Sequence, residues 1–105
     1  MKAYVIEPFG DVIEADLNLG TWGQLREIIG SQTLELVSVL YNGKPATMFV
    51  NENGIAEGDV PNVRATAIYW TATIRNVTGM KFEPLSMSMI YGVAILFEIA
   101  KNDIP

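Results

Sequence analysis

Alternation of apolar and polar positions marks the strands of this chain. Ala3 to Glu7 and Val12 to Ala15 are short β-rich segments on either side of Pro8-Phe9-Gly10-Asp11, a spacing that predicts a hairpin with a four-residue connection. From Thr33 to Tyr41, Glu35, Val37, Val39 and Tyr41 alternate with Leu34, Leu36, Ser38 and Leu40, the period of a strand. Both sets contain apolar residues, so a central strand covered on each side is expected. Asn42-Gly43 is the preferred type I′ pair and turns the chain into a strand over Ala46 to Val50. Pro45 has no amide to donate, which places it at an edge or at the hairpin mouth. A last, mostly buried strand is expected over Met89 to Glu98.

Two segments read as helix. Thr21-Trp22-Gly23-Gln24 fits a capping box, with the threonine hydroxyl on an amide three residues on and the glutamine reaching back. A helix starting at Trp22 then places Trp22, Leu25, Ile28 and Ile29 on one face, and Gly30 ends it in the left-handed conformation. Trp22 is read as a core anchor. The second helix follows two turns. Asn51, Asn53 and Gly54 tolerate positive φ, so Asn51-Glu52-Asn53-Gly54 turns the chain after its strand, and Gly58-Asp59-Val60-Pro61-Asn62 turns it again. Asp59 or Asn62 can accept hydrogen bonds from the first amides of a helix running from about 62 to 75. Val63, Ala67, Trp70 and Ile74 recur at helical spacing and form its expected buried stripe. The competing reading is a strand, since Thr66, Ile68, Trp70, Ala72 and Ile74 alternate and β-forming types are frequent there. Asn76-Val77-Thr78-Gly79 closes the helix, and Lys81 to Ser86 reads as a loop.

The expected fold is therefore α+β: a single compact domain over residues 1–105, β-β-α-β-β-α-β, with a mixed or antiparallel sheet and two helices. Its expected core holds Trp22, Ile28, Val37, Val39, Ile68 or Trp70, and Ile95. Met87 and Met89 suit an adaptable contact surface or core filling, the second being the commoner use of methionine. Tyr69, Phe82, Tyr91 and the methionines are apolar surplus once a small core is filled, which points to a homo-oligomer, most simply a two-fold dimer.

Composition narrows the chemistry. The chain has neither cysteine nor histidine, which removes disulfides, thiolate metal sites, cysteine nucleophiles, Ser-His-Asp catalysis and ordinary zinc sites. Half of its residues are hydrophobic, so it has the apolar content to fold. The net charge is -5, with seven scattered basic residues against twelve acidic ones. A nucleic-acid interface built on a basic face is not expected. Glu7, Asp11, Glu14 and Asp16 read as a solvated hairpin surface rather than the dense carboxylate rows of a DNA mimic. The longest late apolar run, Ile90 to Phe97, falls short of the ~20 residues that cross a bilayer. No membrane partner and a cytoplasmic location are the corresponding expectations.

Three constellations in the turn region bear on chemistry. Aligning Gly54 with the obligatory glycine of a calcium loop puts Phe49 and Val60 where ligands are required, so no metal is expected. Glu52, Glu57 and Asp59 are close in sequence, as acid/base hydrolysis would need, but lie in turns where carboxylates cap amides or stay hydrated. The helix start near Asn62, with Arg64 beside it, offers amides to a small anionic ligand. No catalytic residue and no cofactor site is read. The candidate binding surface is Asn51, Glu52, Asn53, Gly54, Asp59, Asn62 and Arg64.

The spacing of Leu25-Arg26-Glu27-Ile28-Ile29-Gly30, Glu35, Asn51-Glu52-Asn53-Gly54, Pro61-Asn62-Val63-Arg64-Ala65-Thr66 and Ile90 to Leu96 resembles an uncharacterised small domain family of bacteriophages, plasmids and other mobile elements. The likeness runs from about Lys2 to Phe97, with a longer Thr71 to Ser88 segment than the family pattern. It implies a mobile-element setting and no activity. The expected function is a small non-enzymatic protein that binds a host protein or small host ligand, in a takeover or anti-defence role. A carboxylate-dependent enzyme and a minor structural protein of a phage particle are the alternatives.

Overall fold

A computed structural model describes residues 1–76 and 89–105, with side chains described for 1–71 and 89–105. In chain order the elements are β1 (Lys2–Ile6), β2 (Val12–Asp16), α1 (Gly23–Ile29), β3 (Leu34–Tyr41), β4 (Lys44–Asn51), α2 (Val63–Asn76) and β5 (Ala94–Phe97), followed by a 3-10 turn at Lys101–Asp103. The strands form one antiparallel sheet in the order β2-β1-β5-β4-β3. The α+β fold and the β-β-α-β-β-α-β order are as the pattern predicts. No helix among the described residues is long and apolar enough to cross a membrane.

Two hairpins are built locally and joined by the last strand. In the first, Ile6 pairs with Val12, so the connection covers residues 7–11 and is one residue longer than its spacing suggests. In the second, Asn42 and Gly43 take φ of 53° and 79°, as a type I′ turn demands, and Pro45 sits near the hairpin mouth opposite Leu40, outside the β4–β5 ladder. β5 then inserts between β1 and β4 and is buried on both faces.

Alternation along the central strands feeds two cores, one on each side of the sheet. Ile6, Met48, Val50, Ala94 and Leu96 face α2, together with Val39 and Ala65. Val5, Phe49, Ile95 and Phe97 face α1, together with Leu25 and Ile29. Trp22 is half-buried and meets Phe49 edge-on, with ring centroids 5.3 Å apart, and Phe49 meets Phe97 in the same way. Of the expected core, Val39 and Ile95 are buried, and Trp22, Ile28, Val37 and Ile68 are half-buried.

Further expectations are corrected by strand order, capping and helix rotation. β3 is an edge strand, and β5 is the central one. Its apolar residues do face cover on both sides, with Val37 packed on the α2 side and Leu36 on the α1 side. A face pattern reports what lies above and below a strand and carries no information about its lateral neighbours. α2 lies over β3 and shields that edge, while the opposite edge, β2, carries Glu14 and Asp16.

The capping box does not form. α1 begins one residue late, Trp22 is its N-cap, and no side chain caps it. The Gln24 side chain lies instead toward the Asn18 amide, at 3.5 Å. At the other end Gly30 is left-handed, with φ 82°, and its amide closes on the Arg26 carbonyl at 2.7 Å, as read.

α2 is a helix, but its buried face is not the expected stripe. Val63 is 67 % exposed, Ala67 is exposed and Trp70 is 36 % exposed, while Ala65 and Thr66 are buried and Ile68 and Tyr69 half-buried. The helix is turned by about 200° from the orientation that would bury the apolar stripe, two residues at about 100° each. Met89, read as core filling, is 37 % exposed. Ile74, Asn76 to Gly79 as a helix stop, the Lys81 to Ser86 loop, Phe82 and Met87 lie outside the residues whose structure or side chains are described.

These two environments separate in a stability measurement. Phe49→Ala should cost about 3–5 kcal/mol in chemical denaturation, because it empties the contact between two other rings. Trp70→Ala should cost less than half as much, and equal costs would restore Trp70 to the core.

Candidate functional site

The corner where β4 ends is built from two asparagines with separate tasks. Asn51 closes the 51–59 loop from inside. Its Oδ1 accepts from the Asn53 amide (2.9 Å), and its Nδ2 donates to Glu57 Oε2 (3.1 Å) and Asp59 Oδ2 (3.0 Å). Backbone bonds repeat the closure, from the Glu57 amide to the Asn53 carbonyl and from the Asp59 amide to the Gly54 carbonyl, both 2.9 Å. Two of the three neighbouring carboxylates thus brace a loop.

Asn62 ties that loop to the sheet. It is fully buried, and its Nδ2 donates to the carbonyls of Ile6 (2.9 Å), at the end of β1, and Gly92 (2.8 Å), ahead of β5. Its Oδ1 accepts from the Ala65 amide at 3.0 Å and so caps α2. One turn on, Thr66 Oγ1 donates to the Asn62 carbonyl (2.7 Å) and accepts from the Ile90 amide (2.8 Å). With Asn62 and Thr66 held against the strand ends, the rotation of α2 is set. The apolar stripe 63, 67, 70 is left outside because buried polar groups require their partners.

Gly54 serves close approach rather than a left-handed turn. Positive φ at Asn51, Asn53 or Gly54 is not used, and left-handed backbone falls at Gly58 instead. A Cβ on Gly54 would stand 3.0 Å from Tyr91 Cβ and 3.1 Å from the Tyr91 carbonyl oxygen. Gly92 is constrained twice, by φ 81° and by the Asp59 carboxylate, which a Cβ there would overlap.

A cavity of about 440 Å³ opens between this loop, β3 and α2. Its walls include Glu35, Val37, Glu52, Tyr69, Met89 and Tyr91. Of the seven candidate residues, Asn51, Glu52, Asn53 and Gly54 border it. Asp59 and Asn62 do not line it and are engaged in the bonds above. Arg64 is exposed on the first turn of α2 and does not line the cavity either. The anion site read there lacks its charge at the cavity, and the Ala65 amide is already taken by Asn62.

Glu35, Tyr69 and Tyr91 are cavity residues that sequence reasoning did not select. Glu35 stands out as the one charge in an otherwise neutral strand, and Tyr69 and Tyr91 as apolar surplus; their approach to one another depends on packing far along the chain. Among the described residues no group of three or more Asp or Glu side chains is arranged to hold a metal ion.

The dual task of Asn62 is testable with two substitutions. Asn62→Ala should cost roughly 2–5 kcal/mol, the sum of a lost cap and stranded buried carbonyls. Asn62→Asp keeps a capping oxygen but removes the amide donor, and should be no more stable than Asn62→Ala in urea denaturation. Recovery of wild-type stability by aspartate would show that the cap alone matters. In comparisons with protein-family models, with curated proteins and with solved structures, no match to the chain was found.

Proposed function

We propose that this chain is a small non-enzymatic binding protein of a phage or mobile element, which captures a host protein in the host cytoplasm through the corner between the 51–59 loop, β3 and α2. The observation that carries this reading is the cavity of about 440 Å³ at that corner, within the size range of binding pockets. Its surroundings favour a polypeptide over a small free ligand. Ile55 on the loop is 72 % exposed and Met89 is 37 % exposed, and both line the cavity. The mobile-element setting rests on the sequence resemblance. The hydrogen bonds from Asn51 to Glu57 and Asp59 support a bracing role for these carboxylates over the acid/base alternative.

Affinity capture from host lysate, with mass spectrometry of bound proteins and small molecules, tests the reading against two variants of unchanged fold. Glu52→Ala should lose the captured partner with its melting temperature intact. Arg64→Ala should retain it, because Arg64 is off the cavity. Retention by Glu52→Ala together with loss by Arg64→Ala would move the site to the helix start.

A further inference from the structure

Glu35 and Glu52 come from different elements, yet strand register brings them together. β3 and β4 pair Glu35 with Val50, and the ladder continues one step past β4, where the Glu52 amide donates to the Thr33 carbonyl at 3.1 Å. Residues 35 and 52 are therefore diagonal neighbours on one face of the sheet, the face beneath α2. Such positions lie roughly 7–8 Å apart. Both side chains are exposed, and neither forms an ion pair among the described residues. Like charges so placed repel each other, and nothing in the described walls offsets them: no lysine or arginine is among the described residues that line the cavity.

The remaining walls suit the same class of guest. Tyr69 and Tyr91 bring aromatic rings, and Val37, Ile55 and Met89 bring apolar surface. A long side chain that is apolar along its stem and cationic at its tip matches this order of surfaces, with carboxylates for the charge and rings for cation–π contact. We propose that the cavity seats an arginine or lysine side chain of the partner polypeptide, held between Glu35 and Glu52. This rests on the binding role proposed above and names the anchor that the partner would present. It replaces the small anionic ligand expected from Arg64.

The test uses the full chain, labelled with nitrogen-15, and three probes: Nα-acetyl-arginine amide, Nα-acetyl-lysine amide and the neutral Nα-acetyl-norleucine amide. The cationic probes should shift the amide resonances of Glu35, Glu52 and Asn53 at several-fold lower concentration than norleucine. In the Glu35→Gln/Glu52→Gln double variant that preference should disappear, with the rest of the spectrum unchanged. An equal response to norleucine, or a cation preference that survives in the double variant, would overturn the cationic guest and leave the cavity as a binding site. No shift with any probe would overturn it as well, and partner loss in Glu52→Ala would then still support the binding role by itself.

Discussion

The side chain of Asn62 is the joint on which this structure depends. Its amide holds the last carbonyl of β1 and the carbonyl of Gly92, and its oxygen starts α2. The end of β1, the segment ahead of β5 and the start of α2 are thus held together by one buried side chain. Such a group is stable only when every donor and acceptor is matched, since an unmatched one costs about 1–3 kcal/mol. Here the match is complete: no buried side-chain nitrogen or oxygen among the described residues lacks a partner.

That requirement reaches outward to the surface. Asn62 and Thr66 face the strand ends, so Ala65, Ile68 and Tyr69 turn to the sheet while Val63, Ala67 and Trp70 turn away. Apolar surface exposed by a polar constraint is suited to binding, because covering it releases water and its position is rigidly determined. The same helix rotation brings Tyr69 to the wall of the cavity. The loop brace does comparable work from the other side. By engaging Glu57 and Asp59, Asn51 leaves Glu52 as the carboxylate of the turn that reaches the cavity.

Packing on the opposite side of the sheet is of an ordinary kind. Phe49 and Phe97, with the half-buried Trp22, form an aromatic cluster under α1, and the buried Thr47 hydroxyl donates to the Ile99 carbonyl at 2.8 Å, tying the chain after β5 to β4. The two faces thus divide the work: the α1 face is closed by apolar contact, and the α2 face carries a polar joint and an open corner.

What the sequence determined by itself was local. Asn42-Gly43, Gly30 and the alternation from Leu34 to Tyr41 each specify backbone geometry within a few residues, where turn chemistry and strand period act directly. The α+β class and the order of elements followed from such signals, and the turn chemistry at 51–54 marked the corner as a candidate surface, through Asn51, Glu52, Asn53 and Gly54. The tertiary structure decided what depends on residues far apart. Strand order placed the last strand in the centre; the bond from Asn62 to Ile6, 56 positions earlier, set the helix rotation against its apolar stripe. Pairing across the β3–β4 ladder set Glu35 beside Glu52, which no spacing along the chain reveals. Apolar periodicity predicted the wrong face of α2 because it weighs only transfer from water, whereas burying Asn62 and Thr66 with full hydrogen bonding fixed the orientation.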